Sequence, residues 1–215
     1  MCEFDEKYVI IFNKSLSIKI LGEVEMLKYT NIDKNNNLVY DEPEKKFPKQ
    51  ELLKEFEKFI KVSGFSVTEW KNNNHVPYEL VVNKEGINYR LIIFLKNITG
   101  AGWADKPNIK RVQVTNVRVV NIDNYINTTD TEALIILGYY NFDNNPIMVA
   151  WNAYRYVSHN KNRSCYIDIE SLLEGYNNGY ITKTCSDQRV WVFRPNYFET
   201  FLRNYIEKNK VDQYE

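Results

Sequence analysis

Apolar and polar positions along the chain follow two rhythms. In PKQELLKEFEKFIKVSG (48–64), Leu52, Leu53, Phe56, Phe59 and Ile60 fall on one face of a helix, with Lys and Glu on the other. Pro48 suits the first turn of that helix and Gly64 suits its stop. NYFETFLRNYIEKN (196–209) predicts a closing helix with Phe198, Phe201, Leu202 and Tyr205 on one face. ESLLEGYNNG (170–179) predicts a shorter helix ending at glycine.

Elsewhere the pattern is that of strands. KYVIIF (7–12) and SLSIKIL (15–21) predict a pair joined by an Asn-Lys turn. Further strands are predicted at 65–70, 78–83, 87–99, 110–120, 132–142, 145–152, 164–169 and 189–195. The Asn-rich stretch 31–50, interrupted by Pro43 and Pro48, predicts a loop. Alternating strand–helix units do not occur, which argues against a doubly wound sheet. The expected fold is mainly β with flanking helices (α+β), built on a closed or half-closed barrel of seven to eight strands. Residues 1–64 would supply a hairpin, loop and helix packed on a barrel of residues 65–210, the whole forming one unit.

Composition supports the β reading, because 16 Tyr, 11 Phe and 4 Trp in 215 residues suit pleated, half-buried surfaces. The formal net charge is zero, so any charged partner has to be met by local patches. Cys2, Cys165 and Cys185 form no CxxC pair, and His75 and His159 stand far from any paired ligand. Reduced thiols, no structural zinc and no cofactor are expected. No apolar run is long enough for a bilayer and the N-terminus lacks a signal-peptide pattern, so a soluble cytoplasmic protein is expected.

Catalytic patterns are weak. Neither His75 nor His159 accompanies a serine or cysteine elbow, and GAG at 100–102 is too short for a phosphate loop. Asp41, Glu44 and Lys46 are the nearest approach to a metal-dependent nuclease set, but they lie in a proline-broken charged loop. Asp168 and Glu170 suit a strand running into a helix N-terminus, where acids are favoured. No enzymatic activity is expected of the chain.

Charge is unevenly spread. From residue 86 to 118, six cations (Arg90, Lys96, Lys106, Lys110, Arg111 and Arg118) accompany one acid, Asp105. In KRVQVTNVR, period two sets Arg111, Gln113 and Thr115 on one face and Val112, Val114 and Asn116 on the other. Arginine matches the guanine edge and glutamine the adenine edge in the major groove, while lysine and arginine neutralise phosphates. Alone, the strand is equally the solvated face of an antiparallel sheet. A second stretch, WNAYRYVSHNKNRSC (151–165), gathers Asn152, Arg155, Ser158, His159, Asn160, Lys161, Asn162, Arg163 and Ser164 between two predicted strands. A third, TKTCSDQRVWVFRPN, carries Lys183, Gln188, Arg189, Arg194 and Asn196.

The succession YRLIIFLKNITGAGWADKPNIKRVQVTNV, ALIILGYYNFDNNPIMVAW, a basic loop, RSCYIDIESL and VWVFRPNYFETFLRNYI resembles DNA-recognition domains of bacterial restriction systems. It most resembles the B3-like domains of McrBC-type (LlaJI-like) GTPase subunits and of some type II restriction enzymes, over about residues 78–209. The resemblance implies a pseudo-barrel reading the major groove of double-stranded DNA with two arms. One arm would carry Lys96, Asn97, Trp103, Lys106, Lys110, Arg111, Gln113 and Thr115. The other would carry Asn152, Tyr154, Arg155, His159, Asn160, Lys161, Asn162, Arg163 and Ser164, with Arg189 as a further contact. It also implies a GTPase motor and a nuclease as partners in a bacterial cytoplasm, since no Walker motif occurs here. Two rivals stay open. One is a modified-base reader of the PUA, EVE or YTH kind, with Trp103, Trp151 and Trp191 as pocket walls; the other is a divergent nuclease using Asp41, Glu44 and Lys46.

Overall fold

The computed structural model describes residues 31–33, 35, 37–39, 46–114, 131–142, 145–154, 163–185 and 188–211. The strand pair expected at 7–12 and 15–21, and the second half of the strand expected at 110–120, lie outside them. Within the expected 31–50 loop, β1 (Asn31–Ile32) and β2 (Leu38–Val39) pair as a small antiparallel ladder.

Helix α1 (Lys49–Val62) has the expected apolar face, with Leu52, Leu53, Phe56, Phe59 and Ile60 all buried. Strands β3 (Ser66–Asn72), β4 (Tyr78–Lys84) and β5 (Ile87–Asn97) follow as an antiparallel meander. The chain then leaves the sheet through β6 (Thr99–Gly100) and β7 (Ile109–Val114), and returns at β8 (Glu132–Phe142). There it pairs parallel with β5, Leu91 opposite Ala133 and Leu95 opposite Leu137. β9 (Asn145–Asn152), β10 (Arg163–Asp168), α2 (Ile169–Asn178), β11 (Tyr180–Cys185), β12 (Gln188–Phe193) and α3 (Phe198–Val211) complete the order.

A seven-stranded mixed sheet, β11-β12-β9-β8-β5-β4-β3, forms the middle layer. Its central strands are almost continuously apolar (LIIFL, ALIIL, IMVAW) because both of their faces are covered. On one face, α1 and α3 pack through Phe56, Phe59, Phe198 and Phe201 onto Leu91, Ile93, Leu137 and Phe193. On the other, α2 and a three-stranded sheet, β10-β7-β6, pack onto Ile92, Phe94, Ile136 and Val149. Gly138 lets the two sheets close: a Cβ there would stand 2.6 Å from Ile98 and 2.8 Å from Val112.

The mainly β, α+β expectation therefore holds, with one correction. Among the described residues the large sheet is open, with β3 and β11 as its edges, rather than closed into a barrel. Helices and the small sheet bury both faces, so closure is not needed to cover apolar surface. The TKTC stretch, where no strand is predicted, belongs to edge strand β11; an edge carries polar side chains without cost, which hid it in the sequence.

Candidate nucleic-acid interface

The small sheet has two unlike sides. Antiparallel pairing of β7 with β10 sets Val112 opposite Cys165, and Val112, Val114, Cys165 and Ile167 are all buried against the large sheet. The alternate positions point away. There, Thr99, Arg111 and Tyr166 form a row across all three strands, with Gln113 opposite Ser164 in the next row. Gln113 is exposed and Arg111, Ser164 and Tyr166 are partly so. Period two thus places Arg111 and Gln113 together on a rigid support, as the alternation predicts.

The turn between β6 and β7 stands at one end of this face. Ala101 N–H donates to Ile109 O (2.9 Å), Lys106 N–H to Trp103 O (3.3 Å) and Ile109 N–H to Lys106 O (3.2 Å). The turn is also fastened to α2. Ile169 N–H donates to Asn108 O at 3.0 Å, and the Asn108 amide donates to both carboxylate oxygens of Glu170 at 3.3 Å. Burial pushes the Glu170 carboxyl above its ordinary range. Asp168 caps the same helix by accepting from Ser171 N–H at 2.6 Å, the role expected of an acid at a helix start. Trp103 leaves this turn 41 % exposed and stacks on Tyr166, centroids 4.9 Å apart and planes 29° apart.

The far end of the face adjoins the second arm. Arg163 pairs with Val114, whereas Asp168 pairs with Ile109, so β10 begins where β7 ends. The β6–β7 turn and the start of β10 therefore stand at opposite ends of one ribbon, and the five steps between its six residue pairs, at about 3.4 Å each, separate them by roughly 17 Å. Of the second arm, Arg155, His159, Asn160, Lys161 and Asn162 lie outside the described residues, as does Thr115 of the first.

A family model described as methylase-associated X1 matches residues 89–202, which is more than half of the 215-residue chain. The chain belongs to the methylase-associated X1 family. The matched X1 segment runs from β5 to α3 and contains the whole small sheet, its outward face and both arms. The family's description supports the restriction–modification setting in its coarse form; the match is to this family and not to the B3-like domains of McrBC-type subunits. Neither a search of curated proteins nor one of solved structures gave a significant match.

Several expected contacts are placed elsewhere. Lys110 is 2 % exposed, because it shares the inward side of β7 with Val112 and sits between Gly100 and Ile167. Asn97 uses both ends of its amide on Phe47, accepting from its N–H and donating to its carbonyl at 3.0 Å each, and so holds the entry to α1. Asn152 is buried and accepts from Tyr154 N–H at 2.9 Å, while Tyr154 packs on the core beneath the small sheet. Arg189 shares the side of β12 with Trp191 and Phe193, whose side chains belong to the helix-covered core, so it lies across the large sheet from the small one. Lys96 is half-buried near the end of β5; burial first and the Lys49 charge second lower its pKa. Lys106 is exposed on the turn.

The tryptophans do not converge. Trp151 is buried under the small sheet and Trp191 under the helices, on opposite faces of the large sheet, which leaves Trp103 alone at the surface. Asp41 and Glu44 lie outside the described residues, and no cluster of metal-binding side chains occurs among the described ones. No described helix is long and apolar enough to cross a membrane. Sequence reasoning missed Tyr166, Thr99 and the Asn108–Glu170 clip. The alternation Ser164–Tyr166 against Cys165–Ile167 was signal enough for Tyr166; the others depend on pairing between distant segments.

Proposed function

We propose that this chain is the target-recognition module of a restriction–modification system and reads double-stranded DNA in the major groove. The observation that carries this reading is the outward face of the small sheet, where Arg111 and Gln113 stand on a strand anchored by buried valines. A major groove about 12 Å wide admits a two-stranded ribbon. Arg111 would take the two acceptors of a guanine edge and Gln113 the adenine edge. Lys106 at one end of the ribbon and Arg163 at the other would meet phosphates on either side, with Arg155 and Lys161 as further phosphate contacts. The module carries no chemistry of its own in this reading; a GTPase motor and a nuclease, on the same chain or in complex, move and cut the DNA.

Selection from a randomised duplex library, run in parallel on methylated and unmethylated pools, tests this. A shared motif should emerge in at least one pool, and affinity for it should fall steeply with salt because each phosphate contact releases counterions. Lys106→Ala should reduce the slope of log affinity against log salt by about one without altering the motif. Enrichment of no motif in either pool overturns the reading.

A further inference from the structure

Trp103 is the exposed aromatic that the fold holds most deliberately. Among the described residues, the three other large apolar side chains at the surface are Val62 and Ile87, at element ends, and Tyr197, which stacks on Tyr180. Trp103 instead rides on a turn closed by backbone hydrogen bonds and fastened to α2, preceded by Gly102 at φ +79°, in the left-handed region that glycine tolerates. Tyr166 supports the indole from one side, and 41 % of the tryptophan surface stays open. An indole left open on a fastened support presents a preformed stacking surface, with little ordering required on binding.

Its surroundings indicate what stacks there. Arg111 is the cross-strand neighbour of Tyr166, and Lys106 is exposed three residues beyond Trp103; Asp105 is the turn's one acid. An aromatic plane flanked by cations fits a nucleobase with its adjoining phosphates, because every base offers a π face and every nucleotide a negative charge.

We propose that the Trp103–Tyr166 stack seats one unstacked nucleobase of the bound DNA, close to the bases read by Arg111 and Gln113. This rests on the DNA-reading function above and adds to it a preference for sites where a base leaves the helix at small cost. The seat is an open stack on the ribbon face, unlike a pocket walled by three tryptophans.

Anisotropy titrations of the full chain with two labelled duplexes of one sequence test it, one fully paired and one carrying a single bulged 2-aminopurine. The wild type should bind the bulged duplex about tenfold more tightly, and its 2-aminopurine fluorescence should be quenched. Trp103→Ala should lose the preference for the bulged duplex and the quench; Trp103→Phe should keep most of the preference. Equal affinity of the wild type for both duplexes, or a preference that survives Trp103→Ala, overturns the base seat and leaves groove reading intact. Binding to neither duplex overturns groove reading itself, and the seat with it.

Discussion

The two faces of the large sheet are covered by different means, and under the proposed function the difference separates stability from recognition. The helix-covered face is sealed by interlocked rings: Phe193 stacks on Phe201 at 4.2 Å, and Trp191, Phe198 and Tyr205 close around them. Polar clips finish its rim, with Lys84 donating to Ser63 O at 2.8 Å and pairing with Glu199, which also takes Arg203 at 2.7 Å. The opposite face is covered in part by a second sheet only a few strands wide. A helix hides its apolar stripe and shows solvent a curved, rotamer-rich surface. A sheet, by contrast, shows solvent a flat row of side chains at fixed spacing, which is what reading a groove requires.

Four substitutions test that division, beginning with the largest expected effect. Phe201→Ala, in the middle of the helix-side core, should cost about 3–5 kcal/mol in urea unfolding. Where the variant is still folded, its preference among DNA sites should be unchanged. Gly138→Ala acts at the seam between the sheets. Its Cβ would press on Ile98 and Val112, so a loss of about 1–3 kcal/mol is expected, together with weaker DNA binding while the protein remains folded. Loss of site preference in Phe201→Ala, or its retention at full affinity in Gly138→Ala, would break the comparison.

Arg111→Ala should leave unfolding within about 0.5 kcal/mol of wild type and reduce discrimination between the selected site and a scrambled one by about 1–3 kcal/mol. The smallest effect is confined to pH. The hydrogen bond from Lys84, helped by Arg203, holds the Glu199 carboxyl below its ordinary value of 4.5. A depressed carboxyl stabilises the fold above that ordinary value and loses the contribution as pH falls through the folded value. Thermal melts of wild type and Glu199→Gln should therefore differ slightly at neutral pH and converge in acid.

Local signals carried much of this architecture and long-range ones did not. Pro48 and Gly64 mark the ends of α1 within a residue or two, since caps are chemistry between near neighbours. The valines of β7 reveal its buried side, because period two is a property of the strand itself. The pattern misled at Lys110, where parity with Val112 points inward but residue type argues outward. It was silent on the parallel pairing of β5 with β8, whose apolar runs read alike in either direction. It was silent too on the meeting of Trp103 with Tyr166, residues separated by two strands of the other sheet. The candidate face was half visible for the same reason: Arg111 and Gln113 share a strand, whereas Thr99, Ser164 and Tyr166 join them only through pairing.

The claim that the outward face of the small sheet reads sequence is tested most directly by one titration. Wild type and the Arg111→Ala/Gln113→Ala double variant are each measured against the selected duplex and a scrambled duplex at one fixed salt concentration. The ratio of the two affinities should fall at least about tenfold in the variant while binding to the scrambled duplex changes much less. An unchanged ratio in a variant that melts like wild type would contradict it.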